Sequence, residues 1–513
     1  TRVHLRVDAR RHSYASEAHP DQSDSNVMVL NIDRPIQYIV QQVLQEAIAS
    51  SQALNGSAIV MDPHTGEVLA MASYPFFNPN RYFDFGADAR RNRTILDIHE
   101  PGSTFKLITF SAVLNEGLGQ PSESIDCRVG TLRIAGKTYR EARRSFGLLT
   151  FNEVLAESSN VGTIKLGLRL GEEKFYSYIK RFGFGEKTGI DLPGEQTGLL
   201  RPPSQWSKIS IGAISIGQEV GVTALQQLRA MCAIANGGYL VTPRVVRRIL
   251  TPDGEVLYEP LPNKQRILQP ETTLGMKESL SLVVTQGTGE GAQLNGYSSA
   301  GKTGTAQKFI EGKYSNTRFI ASYMGFAPLE VPVLAAIVVL NEPKGEHHGG
   351  QVAAPAFKQI MERLLIHLRV PHDQPLHIEK MRPKRAPMEL AASEGISVKE
   401  EQFPRERLEE TVLTLIQGDP SSQKSQHKIT VETSTFSLPD FSNLSLREVA
   451  RECARLGLAL KVSGSGVAVA QRPPARSRVS KETVCEVFFS NKGQDASSRV
   501  ALQGDREVSW RAP

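Results

Sequence analysis

The chain has 513 residues, 40% of them hydrophobic and 22% charged, with a formal net charge of +6. That length points to roughly two to four domains, and the scattered lysines and arginines, with no basic helix or aromatic RNA-binding motif, exclude nucleic acid as an expected partner. The longest strongly apolar run, residues 331–340, is about half of what a membrane-crossing helix needs and reads as a core strand.

Residues 1–30 are polar, with Ser, Asp and His around 16–25, and read as irregular structure or the remnant of a truncated N-terminal domain. The chain opens at Thr1 with no initiator Met and no signal peptide. A trimmed product is expected, with any membrane anchor lying upstream. Asp33 then caps a helix with Pro35 in its first turn and an apolar stripe of Ile36, Ile39, Val40, Val43 and Ala47. Two short apolar runs, 57–62 and 67–73, flank Pro63-His-Thr-Gly66 and predict a β-hairpin.

Glu100-Pro-Gly-Ser103-Thr-Phe-Lys106 opens a helical run that ends near Gly117. Phe105, Ile108, Ala112 and Val113 share one stripe, while Leu107, Phe110 and Leu114 cover much of the other side. Such a helix is apolar nearly all round and belongs in the interior. Lys106 is the only charge between Glu100 and Glu116. It follows Ser103 by one helical turn, so the two side chains share a face, about 4.5 Å apart along the axis. A desolvated lysine loses its proton readily, and a neutral amine beside a hydroxyl is a general base beside a nucleophile. The start of a buried helix also offers free N–H groups and a dipole that favour an oxyanion.

Thr150 and Glu153 form a capping box ahead of a helix that ends at Ser158-Ser159-Asn160, and a second apolar helical stretch runs to Gly171. A loop-rich region (182–207), a helix over 224–236 and a glycine-dense stretch (287–304) follow. Three strands are predicted at 302–309, 318–327 and 333–340, then a helix from about Pro355 to Arg369. The order predicts one α+β domain over residues 31–369, an antiparallel sheet flanked by helices. Residues 370–434 turn to charge, Pro, Ser and Gln and read as a linker, with a short helix near 406–416. Residues 435–490 recover a pattern: a capping box at Ser445 and Glu448, a helix carrying Leu446, Val449, Ala450, Cys453 and Leu456, and three short strands. A small α/β module is expected there, followed by a polar tail over 491–513. Cys453 and Cys485 both fall in this module, as buried thiols or a disulfide.

Ser-x-x-Lys occurs five times, as Ser103/Lys106, Ser177/Lys180, Ser299/Lys302, Ser421/Lys424 and Ser425/Lys428, and only the first opens a buried helix. Lys-Thr-Gly occurs twice. Lys187-Thr-Gly189 lies in a turn-rich loop, whereas Lys302-Thr303-Gly304-Thr305 opens a predicted strand. There Thr303 and Thr305 point to one side at period two, and Gly304 would let a ligand lie close to the backbone. Gly296-Tyr-Ser-Ser-Ala-Gly301-Lys302-Thr303 also fits the P-loop letters. A P-loop, however, needs an apolar strand before it and a helix after it, and neither is predicted. His347-His348 has no third ligand at a usual metal spacing, so no metal and no cofactor are expected.

Ser-x-x-Lys, Ser-x-Asn and Lys-Thr-Gly stand in the order and context of the penicilloyl serine transferases. Together with Asp62-Pro-His-Thr-Gly66, Ser158-Ser-Asn-Val-Gly162, Phe182-Gly-Phe-Gly185, Ser215-Ile-Gly-Gln218, Ala235-Asn-Gly-Gly238 and Gly301-Lys-Thr-Gly-Thr-Ala306, they make residues 31–369 resemble a class B penicillin-binding protein. That family comprises monofunctional peptidoglycan D,D-transpeptidases with a β-lactamase-like fold. Residues 436–489, through Leu438-Pro-Asp-Phe441 and Gln471-Arg-Pro-Pro474, resemble more loosely a PASTA module of the kind found on division or sporulation enzymes.

The resemblance implies that Ser103 attacks the penultimate D-Ala carbonyl of a peptidoglycan stem peptide while Lys106 takes its proton. Ser158 would relay that proton to the departing D-Ala, and Asn160 would hold the stem amide. Lys302, Thr303, Gly304 and Thr305 would bind the terminal carboxylate, and the N–H groups of Ser103 and Thr305 would form the oxyanion hole. It further implies inhibition by β-lactams, a single-pass N-terminal anchor with an extracytoplasmic catalytic domain, and division or elongation partners docking on the N-terminal region. A D,D-carboxypeptidase or a β-lactamase-like hydrolase shares the same motifs and remains an alternative.

Overall fold

The computed structural model describes residues 3–7, 13–18, 25–142, 144–376, 436–456, 458–464, 466–480 and 483–490. The N-terminal stretch contains β1 (Val3–Val7) and β2 (Ser13–Ala18), paired antiparallel, and β3 (Val27–Leu30). The irregular reading of this stretch is therefore corrected. Val3, Leu5 and Val7 recur at period two, a strand signal that the polar residues beyond them masked. Helix α1 (Arg34–Ser51) follows, with Asp33 Oδ1 accepting from Ile36 N (3.3 Å). Strands β4 (Asn55–Met61) and β5 (Val68–Tyr74) form the expected hairpin. Its turn is fixed by the Asp62 carboxylate, which accepts from the N–H groups of His64 and Thr65.

A helical region comes next. Helix α2 (Lys106–Asn115) is followed by a hairpin of β6 (Thr131–Ile134) and β7 (Lys137–Arg140), then α3 (Phe151–Ala156), α4 (Asn160–Leu170) and α5 (Ala224–Ala235). The Thr150–Glu153 capping box is present. Strands β8 (Val246–Leu250) and β9 (Val256–Tyr258) join β3 in a small antiparallel sheet, and α6 (Pro270–Thr285) leads to β10 (Ala300–Ile310), β11 (Lys313–Ala327) and β12 (Leu334–Asn341).

The central sheet has the order β10-β11-β12-β4-β5, antiparallel throughout. Strand β12 is apolar on both faces because each face of the sheet has its own core. On β12, Ala335, Ile337 and Val339 pack with α2 and α5, while Ala336, Val338 and Leu340 pack with α1 and the C-terminal helix α7 (Gly349–His367). This double burial explains the apolar run at 331–340 without a membrane. No helix among the described residues is long and apolar enough to cross one.

Helix α7 begins at Gly349, earlier than the expected start at Pro355, which lies inside it. The two glycines ahead of the expected start, Gly349 and Gly350, are there for space. A Cβ on Gly349 would come within 2.3 Å of both Gly304 O and Ser322 O.

From residue 377 onward the expected linker, with its helix near 406–416, lies outside the described residues, as does the tail from 491. In the C-terminal module, α8 (Leu446–Leu456) starts at the Ser445–Glu448 capping box. It packs beside a sheet of β13 (Ala459–Gly464), β14 (Val467–Arg472) and β15 (Val484–Ser490), with β15 in the middle, parallel to β13 and antiparallel to β14. Phe441, Val449, Cys453, Cys485, Val487 and Phe489 form its core, and both cysteines are free thiols. Arg247 on β8 pairs with Glu448 on α8 at 2.5 Å.

Candidate active site

Ser103 lies in a 3₁₀ turn, Gly102–Phe105, that feeds directly into α2. The tighter turn stretches the Ser103-to-Lys106 offset to about 6 Å along the axis, yet residues three apart still eclipse on one face. Two glycines fix the turn. Gly102 has φ +56° and donates to Gly217 O (3.1 Å). Gly217 itself has φ +80°, and a Cβ there would fall 2.1 Å from Gly102 O. Behind the turn, Thr104 Oγ1 lies 2.8 Å from Gln227 Oε1, and the Gln227 amide donates to His99 Nε2 at 2.9 Å. Burial lowers the His99 pKa to about 4, so its ring is a neutral acceptor.

Lys106 is fully buried. Its Nζ lies 2.6 Å from Ser158 O, 3.3 Å from Ser158 Oγ and 2.8 Å from Asn160 Oδ1. Burial lowers its pKa to about 7, against the opposing pull of the Glu141 carboxylate. Ser158 occupies the turn between α3 and α4 with φ +59°, a left-handed conformation uncommon for a residue with a side chain. That turn delivers both its carbonyl and its hydroxyl to Lys106. Ser159, fully buried, caps α4 through Gly162 N (3.0 Å). Ser158 and Asn160 therefore flank the cap and both reach Lys106.

From the edge strand β10, fully buried Lys302 donates to the same Ser158 Oγ at 3.1 Å and lies 3.2 Å from Thr303 Oγ1. Two lysines thus converge on one hydroxyl. With Lys302 donating into Ser158 Oγ, the Ser158 proton is free to point at a neutral Lys106, which makes a short proton wire. Thr303 Oγ1 bonds Thr288 Oγ1 (2.8 Å), and Thr305 Oγ1 accepts from Gly349 N (3.0 Å), so both threonines face the start of α7 from one side of the strand. Gly304 has a reason beyond the expected ligand clearance. A Cβ there would meet Ser322 Oγ (2.3 Å), Thr104 Cγ2 (2.9 Å) and Pro101 O (3.1 Å), so the bare strand is what lets the Ser103 turn seat on β10.

Residue types alone gave no hint of Glu141. It lies just past β7, within the charged run 140–144. Its carboxylate accepts from Ser159 Oγ (2.6 Å), Asn160 N (2.7 Å) and Val161 N (3.3 Å). Gly217 was visible only as part of a quoted motif, with no role attached.

The other look-alikes disperse. Ser177 is exposed on the helix Glu172–Arg181, where Lys180 pairs with Glu186. Thr188 of Lys187-Thr-Gly189 is tied to Glu195 in a turn. Gly301 to Thr303 are strand residues followed by more strand, so the helix a P-loop requires is absent. His347 stacks on Phe319 with ring centroids 4.0 Å apart. Ser421/Lys424 and Ser425/Lys428 lie outside the described residues.

Among known families, residues 56–362 match the penicillin binding protein transpeptidase domain. The chain is 38% identical over 364 residues to stage V sporulation protein D of Bacillus subtilis, covering 68% of this chain and 56% of that protein. It is 35% identical over 356 residues to peptidoglycan D,D-transpeptidase FtsI of Escherichia coli K12, covering 69% and 58%. The chain thus spans little more than half the length of these curated relatives. Among solved structures, penicillin binding protein 3 of Mycobacterium tuberculosis complexed with aztreonam is similar at a TM-score of 0.65 and 36% identity, over 69% of this chain and 81% of that one. The apo transpeptidase domain of Burkholderia pseudomallei penicillin-binding protein 3 is similar at a TM-score of 0.60 and 32% identity, over 67% and 98%.

Proposed function

The chain belongs to the penicillin-binding protein transpeptidase family, and from that premise we propose that it is a serine-type peptidoglycan D,D-transpeptidase. Ser103 Oγ attacks the penultimate D-Ala carbonyl of a stem peptide and passes its proton to Lys106. The N–H groups of Ser103 and Thr305 receive the oxyanion. The proton then moves from Lys106 through Ser158 Oγ to the departing D-Ala amine. Asn160 holds the stem amide, and Lys302, Thr303 and Thr305 bind the terminal carboxylate, with Gly304 keeping the strand close to the Ser103 turn. An amine from a second stem resolves the acyl-enzyme and completes the crosslink. β-Lactams mimic the D-Ala-D-Ala end and stall at the acyl stage.

The observation that carries this reading is the pair of buried lysines meeting at Ser158 Oγ. Transfer to an amine is favoured over β-lactamase-like hydrolysis, which needs a water-activating carboxylate, by the state of the carboxylate that acts on Lys106. Both Glu141 oxygens are engaged by α4 and its cap, which leaves Glu141 poorly placed to activate water. The names of the relatives, a stage V sporulation protein and a peptidoglycan D,D-transpeptidase, support work in peptidoglycan synthesis, and a septal role is part of the proposal. An anchor upstream of Thr1, an extracytoplasmic catalytic domain, division or elongation partners, and a PASTA identity for the C-terminal module belong to the same proposal. Ser103→Ala should abolish covalent labelling by fluorescent penicillin, and Ser177→Ala should leave it intact. Labelling retained in the Ser103 variant would sink the assignment.

A further inference from the structure

We propose that Glu141 is a positioning residue of the acylation centre, setting the orientation of Ser158 and Asn160 through the start of α4 and the charge state of Lys106 across it. The inference rests on the transpeptidase reading above and gives a role to a residue that takes no part in the reaction steps stated there.

The geometry has three parts. First, the Glu141 carboxylate accepts from Ser159 Oγ, Asn160 N and Val161 N, while Ser159 Oγ accepts in turn from Gly162 N (3.0 Å). The first N–H groups of α4 are thus held by a two-tier cap. A cap by Ser159 alone would have left those of Asn160 and Val161 unmet. Second, the same short segment orients the Asn160 amide. Asn160 Nδ2 donates to Arg140 O (2.9 Å), which turns Oδ1 toward Lys106 Nζ (2.8 Å). An amide flipped the other way would present NH₂ to an ammonium. Third, Ser158 sits one residue before this cap in a left-handed conformation that its own preference does not hold. Anchoring Ser159 and Asn160 is what holds it, and with it the Ser158 O–Lys106 Nζ contact of 2.6 Å.

The charge matters as well as the shape. The charged groups facing Lys106 Nζ are Glu141, from the loop after β7, and Lys302, from β10 across Ser158 Oγ. Burial drives Lys106 toward the neutral amine, and Glu141 draws it back toward the ammonium. A base must be neutral to take the Ser103 proton and charged to return it, so a nearby anion that is not itself consumed sets the balance.

The test is the second-order rate of acylation by fluorescent penicillin from about pH 5.5 to about pH 9, in wild type, E141Q, E141D and E123Q, with melting curves for each. Glu123 pairs with Arg169 at the other end of α4 (2.7 Å) and serves as the charge-removal control. E141Q should lower the plateau about tenfold and move the acidic limb to lower pH, since the anion that favours protonated Lys106 is gone. E141D, with the charge kept and the reach shortened, should hold the limb in place and still lower the plateau. E123Q should change neither. An E141Q enzyme with wild-type plateau and limb would overturn the proposal. So would a lower plateau with the limb unmoved, which leaves Glu141 a helix cap only. If E141Q does not fold, E141D decides, and a wild-type plateau there overturns the positioning. Failure of wild type to label, or labelling that survives Ser103→Ala, would instead refute the transpeptidase reading itself.

Discussion

Gly217→Ala should disable acylation without touching a reacting atom. Gly217 packs against the Ser103 turn, and an added Cβ would lie 2.1 Å from Gly102 O, 2.7 Å from its carbonyl carbon and 2.8 Å from its nitrogen. Ordinary contact begins near 3.4 Å, so the backbone must yield by about 1 Å, and a displacement of that size at a reacting group costs on the order of 100-fold in rate. The positive φ adds roughly 1–2 kcal/mol of strain. Gly117→Ala separates the two effects, because Gly117 has φ +66° and nothing within 4 Å of a new Cβ. The assay is the acylation rate by fluorescent penicillin, read beside the melting temperature of each variant. Gly117→Ala should lose a little stability and keep the wild-type rate. Gly217→Ala should lose about two orders of magnitude in rate even in its folded fraction. Wild-type acylation by Gly217→Ala would show that the Gly217–Gly102 contact does not position Ser103.

In wild type, acylation should fall as pH drops through about 7, because Lys106, brought to about 7 by burial, then gains a proton and cannot accept one from Ser103. His99, at about 4, titrates too low to supply that limb. A rate flat down to about pH 5 would refute the assignment of the base. Away from the site, Thr150→Ala removes the acceptor for Glu153 N (3.2 Å) in the α3 capping box and should cost about 1 kcal/mol in denaturant or thermal unfolding. An unchanged melting temperature would count against the cap.

Much of the site could be read along the chain because its parts are local. A serine and a lysine three apart at the start of an all-apolar helix, a Ser-x-Asn at a helix junction and a Lys-Thr-Gly on a strand each carry their signal within a few residues. The capping boxes at Thr150 and Ser445 were visible for the same reason, while that of Thr223 and Gln226 went unread. Glu141 was not, since a carboxylate among Arg140, Arg143 and Arg144 looks like any solvated charge until the end of β7 is seen beside the start of α4. Gly304 was read as ligand clearance, and Gly349 was placed ahead of the expected helix start at Pro355. A Cβ on Gly304 would also meet the Ser322 and Thr104 side chains, and one on Gly349 the backbone of β10 and β11. Close approach between distant segments leaves no periodic trace.

Local context along the chain is enough to mark which residues are chemically unusual. A lysine in an apolar helix must lose solvation, and a desolvated amine must drift toward neutrality wherever the helix packs. Many elements were legible too, since hydrophobic period and caps act over one or two turns, but β1, β2, the β6–β7 hairpin and α6 were not read from sequence. It took the folded arrangement to bring Lys106 and Lys302, 196 residues apart in the chain, to one serine hydroxyl. That meeting depends on β10 forming the sheet edge beside the Ser103 turn and on α4 being capped by a carboxylate from a separate hairpin. Pairings of that range are set by the shape and burial of whole surfaces, which no short window of residues encodes.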